Sequence, residues 1–229
     1  MIAIYNQFIY QPILVFLVFI YNDFAFNDLG VAIIILTVAI RFVFLPLFHK
    51  SAKSQMVMQK LQPEIENIKN RHKDNKEKQA AELMELYRRH GVNPFGNFLL
   101  LIIQLPILIA LYQVFVNELS GSLFAAHSFL NLIDLQVRSN LLVGLATAAQ
   151  YYQGRQLQLP QQSGGDSQAA KMNRFMVFLG PVITFAILLT LPAAVALYWL
   201  VTTVFSIGHQ YYIIKSLACD LKLKAPKSQ

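Results

Sequence analysis

The chain has 229 residues, of which 55% are hydrophobic and 14% charged, with a mean hydropathy of +0.45 and a formal net charge of +7. A water-soluble domain of this length has no core large enough to hide so much apolar surface, so the composition excludes a soluble protein and points to about four to six membrane spans of roughly 20 residues each. The lone cysteine, Cys219, excludes an internal disulfide, and no CxxC, HExxH or zinc-ligand pattern is present.

Residues 1–10 lack a positive n-region and a small-residue cleavage site, so no cleavable signal is visible: either none exists or it has been removed. The apolar run 13–21 is short for a span and is flanked by Asn6, Gln7, Gln11 and Asn22. It reads as an interfacial helix within an N-terminal segment 1–28. The next stretch, LGVAIIILTVAIRFVFLPLF at 29–48, carries one charge and is long enough to cross about 30 Å of hydrocarbon, giving a first span at 29–49.

Segment 50–93 changes character, with ten Lys or Arg against six Asp or Glu. Met58, Leu61, Ile65 and Ile68 repeat at helical spacing, as do Ala80, Leu83, Met84 and Tyr87 after a polar break at 72–75, which predicts a two-helix hairpin in water. Gly91 suits the end of its second helix, and Asn93 with Pro94 suits the start of the next. The second span, 94–117, carries Asn97, Gln104 and Gln113 and a bend at Pro106, followed by a mixed loop at 118–137. The third, 138–153, mixes small residues with Asn140, Thr147, Gln150 and Gln153, a composition that favours close helix packing. Loop 154–172 contains the flexible sequence QLPQQSGGDSQ. Residues 175–214 hold no Lys, Arg, Asp or Glu and are twice the length of one crossing, so they divide at 190–192 into spans 173–190 and 193–214, followed by a basic tail, 215–229.

Of nineteen Lys and Arg, ten lie in the hairpin segment, three in 153–174 and four from Lys215 onward; only Arg41 and Arg138 lie elsewhere. The positive-inside rule then puts the hairpin and C-terminus in the cytoplasm and the N-terminus outside. A sixth span at 13–21 would reverse the N-terminus, which the rule disfavours. The expected fold is all-α: a polytopic membrane protein of five transmembrane helices, with a cytoplasmic two-helix hairpin and an N-terminal interfacial helix.

Arg41 is the most informative residue, because an intramembrane arginine is costly and stays charged. Thr37 lies one turn away on the same face, and no Asp or Glu lies in any of the five spans. A hydrated cationic cavity accounts for this better than snorkelling to the headgroups. Gln104, Gln150, Trp199, Thr202, Thr203 and Ser206 are candidates to line it, against the simpler reading that each binds neighbouring helices. Ser206 and His209 share a helix face without an acid or an oxyanion donor, so no catalytic constellation is expected. His49, His72 and His90 border or lie in the basic hairpin, whose surplus of positive charge would also suit RNA or lipid phosphate.

Three segments, GVAIIILTVAIRFVFLPLFHKSAKSQMVMQKLQPEI at 30–65, LYRRHGVNPFGNFLLLIIQLPILIALY at 86–112 and LPAAVALYWLVTTVFSIGHQYYI at 191–213, in this order and spacing, resemble the YidC/Oxa/Alb family of membrane insertases. The resemblance implies a non-enzymatic insertase and chaperone of the bacterial inner membrane, without a cofactor or metal. Its groove opens to cytoplasm and lipid and is closed outside; Arg41 matches the groove arginine, and Gln150 and Trp199 match groove positions on later helices. Nascent membrane proteins, the bilayer, the Sec translocon, the ribosome and signal recognition particle components are the implied partners, and DNA is not. Two features depart from the pattern: His209 stands where the family more often has glutamine, and the basic tail is short. A small transporter in which Arg41 binds an anion, and a structural assembly factor with an inert groove, are the competing classes.

Overall fold

The computed structural model describes residues 2–93, 96–117, 124, 126–156 and 168–224. The expected start of a helix at Pro94, the linker at 157–167 and the end of the tail at 225–229 lie outside the described residues. The chain is mostly helical, with one small antiparallel ladder among the described residues.

The N-terminal helix is longer than the apolar run 13–21. It comprises α1 (Ile2–Tyr5), a π-helical stretch at Asn6–Tyr10 and α2 (Gln11–Asp23). Proline within a helix removes one i→i−4 hydrogen bond and crowds the preceding carbonyl, and the wider π turn just before Pro12 lets the helix pass it. By length and composition the stretch Ala3–Asp23 could cross a membrane.

The single helix expected over 29–48 is broken. Helix α3 (Leu29–Val43) stops at Phe44 and α4 (Leu45–Lys60) leaves it at a bend of 70°. Pro46 explains the break: it lacks an N–H and its ring would strike the carbonyl of Phe42 in a continuous helix. The two helices pass a length-and-hydropathy test for a span only as a pair, while α3 alone has 15 residues, about 22 Å. Asp28 caps α3 by accepting the Val31 N–H.

Beyond Leu61 lie α5 (Gln62–Arg71) and α6 (Lys76–Arg89), which pack through Leu61, Ile65, Ile68 and Leu86 with Val57, Leu83 and Tyr87 alongside. Leu86 takes the buried place and Met84, of the expected repeat, is 51% exposed. Arg71 and His72 both reach Glu82, at 3.0 and 2.5 Å. Gly91 closes α6 at φ +62°: its N–H bonds the Arg88 carbonyl and the Val92 N–H bonds that of Tyr87, satisfying carbonyls left over at the helix end.

Helix α7 (Gly96–Asn117) contains Pro106, and α8 (Asn140–Gln156), α9 (Gln168–Leu188) and α10 (Ala193–Lys224) complete the chain. The loop between α7 and α8, expected to be irregular, carries β1 (Ser128–Phe129) paired with β2 (Ile133–Asp134). Phe129 lies against Gly30 of α3, closer than any Cβ there would allow.

The main core gathers one end of each of six helices, α2, α3, α7, α8, α9 and α10. It takes Leu17, Ile20 and Tyr21 from the end of α2, Leu29 to Leu36 from the start of α3, and Leu111 to Phe115 from the end of α7. The start of α8, Leu188 of α9 and Ala193 to Tyr198 of α10 complete it. Every one of these lies toward the β-hairpin end of its helix, and the opposite halves carry the polar residues.

Candidate functional site

Those polar halves meet around Arg41. It lies in the last turn of α3 and is 8% exposed. A cation in the last turn of α3 is favoured by the helix dipole. The 70° bend folds Phe48 back over it, with the guanidinium carbon 4.3 Å from the ring centroid. Such a contact contributes about 0.5–2 kcal/mol and leaves the charge in place. Among the described residues no carboxylate pairs with Arg41. Its electrostatic neighbours are Tyr198 and His209, both on α10.

Tyr198, 3% exposed, joins three helices: the Gln104 amide of α7 donates a hydrogen bond to its hydroxyl, and Arg41 of α3 lies within its field. Gln150 of α8 instead pairs with Trp199, whose indole N–H donates to Gln150 Oε1 at 2.8 Å. Gln104 and Gln150 therefore sit on the two sides of α10 presented by adjacent residues.

The hydroxyls turn inward to their own helices. Thr37 donates to the Ile33 carbonyl at 2.6 Å, Thr203 to Trp199 at 2.8 Å and Ser206 to Thr202 at 2.9 Å. Thr37 is 1% exposed, so it lies beside Arg41 as packing with a satisfied donor. The Thr202 hydroxyl is near that of Tyr198 without meeting hydrogen-bond geometry.

Farther from the core two histidines face each other. His49 Nδ1 of α4 and His209 Nε2 of α10 are 3.3 Å apart, which requires a neutral nitrogen on one ring to accept from the other. Buried Gln156 Oε1 and Gln210 Oε1 have no hydrogen-bond partner, although the Gln156 amide donates to the Ile207 carbonyl at 3.2 Å. Unpaired buried acceptors belong where water or a polar chain can enter.

Sequence reasoning alone does not single out Tyr198, His49, Gln156 or Gln210. For Tyr198 a signal was present, a hydroxyl one turn before Thr202 beside the candidate Trp199. His209, grouped by sequence with Ser206, is instead the partner of His49. Among the described residues no group of three metal-ligating side chains occurs.

The arrangement is a buried cation without a counter-ion among the described residues, bordered by amides, a phenol and two imidazoles, with apolar packing at one end.

A family model for the 60Kd inner membrane protein matches residues 19–220. A protein of Nitratidesulfovibrio vulgaris (strain DP4) named membrane protein insertase YidC is 36% identical over 215 residues, covering 91% of this chain and 39% of its own length. One of the same name from Magnetococcus marinus is 38% identical over 213 residues, covering 92% and 36%. Another from Fusobacterium nucleatum subsp. nucleatum is 35% identical over 216 residues and is matched over 98% of its length, against 91% of this chain. The chain thus spans under two fifths of the length of the first two relatives and nearly all of the third.

Proposed function

Because the chain belongs to the 60Kd inner membrane protein family, and the relatives compared above bear the name of an insertase, we propose that it inserts transmembrane segments of client proteins from the cytoplasmic side. The observation that carries this reading is Arg41, 8% exposed with no described carboxylate partner. A buried guanidinium lacking a counter-ion is costly, and water or an arriving acidic group relieves that cost.

In this reading α3, α7, α8, α9 and α10 are the five spans, with the N-terminus outside. The α5–α6 pair stands in the cytoplasm as a receiving hairpin for nascent chains. The apolar core lies at the outer end and seals it; the polar halves form a recess open to the cytoplasm. A client's polar tail entering that recess crosses only the remaining apolar thickness, and its acidic residues pair transiently with Arg41. The client's apolar helix leaves sideways into lipid, driven by hydrophobic transfer. No bond is made or broken and no cofactor takes part. The ribosome, signal recognition particle components and the Sec translocon are the proposed suppliers and collaborators.

Reconstitution tests this. The purified chain in liposomes, given a short single-span client, protects the client's tail from added protease above the level of empty liposomes. A folded, correctly oriented chain that protects nothing would favour a structural or transport role.

A further inference from the structure

The end of the molecule that the apolar core closes is itself covered with outward-facing apolar side chains. Phe16 and Phe19 stack on the exposed face of α2 with ring centroids 6.4 Å apart, and Phe19 meets Phe24 at 5.4 Å in the loop beyond it. This aromatic ladder leaves the helix and continues past its end, where Phe26 is 94% exposed. Beside it the tip of the β1–β2 turn presents Leu130 at 57% and Leu132 at 83%.

Backbone geometry holds these side chains out. Phe26 and Asn27 have φ of 52° and 59°, and Leu130 and Asn131 have 52° and 57°. Bulky residues rarely adopt this left-handed region, and where they do the surroundings must impose it. Asp28 does so for both loops: Oδ1 caps α3 through Val31, and Oδ2 accepts the Leu130 N–H at 2.6 Å. Phe129 seated on Gly30 locks the second loop to α3. In water this would be a strained way to expose Phe26, Leu130 and Leu132. Neither 22–37 nor 126–137 contains a Lys or Arg that would hold it there.

We infer that these two tied loops form an apolar wedge that enters the headgroup and acyl boundary of the outer leaflet, with the bilayer itself as its partner. The Phe16–Phe19–Phe24 ladder and the exposed Phe26 just beyond it support lipid as the occupant, with the exposed Asn22, Asp23 and Asn27 among them suited to the headgroup boundary at which the wedge sits. The wedge fixes how deep the closed end sits and therefore how much apolar thickness remains beyond the recess. This rests on the membrane orientation proposed above.

The test places an environment-sensitive fluorophore at single cysteines in a Cys219→Ser background: Phe26→Cys, Leu132→Cys, Phe16→Cys on the helix face, and Lys73→Cys at the exposed hairpin turn. Each full-length protein is reconstituted in liposomes containing lipids with a nitroxide about 5–10 Å below the headgroups, the depth reached by interfacial apolar groups. The wedge requires quenching at 26 and 132 to match that at 16, while the label at 73 stays unquenched and open to an aqueous reductant. Quenching at 16 but not at 26 and 132 would overturn the wedge and leave the membrane reading intact. Loss of quenching at 16 as well would overturn both.

Discussion

The Gln104 side chain of α7 donates a hydrogen bond to the hydroxyl of Tyr198 on α10, a residue 94 positions later in the chain. Arg41 of α3 lies in the neighbourhood of the same tyrosine, so the phenol ties α7 to α10 beside the buried cation.

Tyr198→Phe removes the acceptor and leaves the Gln104 amide facing apolar groups. An unsatisfied buried donor costs about 1–3 kcal/mol, and thermal unfolding in detergent should show a loss of that order. The double variant Tyr198→Phe with Gln104→Leu removes both partners and should regain part of it. Equal losses in single and double variants would mean that the bond is not the source.

Gly30→Ala should destabilise by about 1–3 kcal/mol through overpacking against Phe129. Hydrogen exchange localises the effect: the Leu135 and Leu132 amides, which bond His127 and Phe129 carbonyls, should lose protection before those of α8. Pairing Gly30→Ala with Phe129→Gly, which removes the Phe129 Cβ as well as the ring, should restore protection to the Leu132 and Leu135 amides, because the clash is then gone.

The facing imidazoles predict a pH response. Protonating both rings puts two like charges 3.3 Å apart within reach of Arg41, so acidification should separate α4 from α10 and return to neutral pH should close them. Distances between spin labels on the two helices report this. His209→Gln keeps a donor and an acceptor opposite His49 without a second titrating ring, and the separation should then shrink.

The α5–α6 cluster is separate from the main core. Replacing α5 and α6, residues 62–89, with a short flexible linker should therefore leave the unfolding temperature of the remaining helices within a few degrees while abolishing client insertion. Normal insertion without the hairpin would remove its assigned role.

How much of this could be read from the sequence depended on the range of the cause. Local chemistry was legible: Gly91 at a helix end, the polar break at 72–75, and the turn at 190–192, where the structure places Leu189 to Pro192 between α9 and α10. Breaks by proline were harder, because the run 29–48 is hydrophobic throughout and Pro46 changes direction without changing hydropathy. The left-handed Leu130–Asn131 turn carries no glycine to announce it, so the small ladder was read as irregular loop. At the site, residue types selected Arg41, Gln104, Gln150 and Trp199. Their pairing into Gln104 with Tyr198 and Gln150 with Trp199 depends on helix rotation, which periodicity does not specify at this resolution of pattern. His49 and His209 meet only because the bend at Phe44 carries α4 across to α10.

The measurement that bears most directly on the central claim is client insertion by Arg41 variants in liposomes, read by protease protection of clients with acidic or neutralised tails. The account predicts that Arg41→Ala lowers insertion of the acidic-tailed client most, that Arg41→Lys retains more of it, and that neutralising the tail narrows the difference. Wild-type insertion of both clients by folded Arg41→Ala would contradict a recess that works through its buried charge.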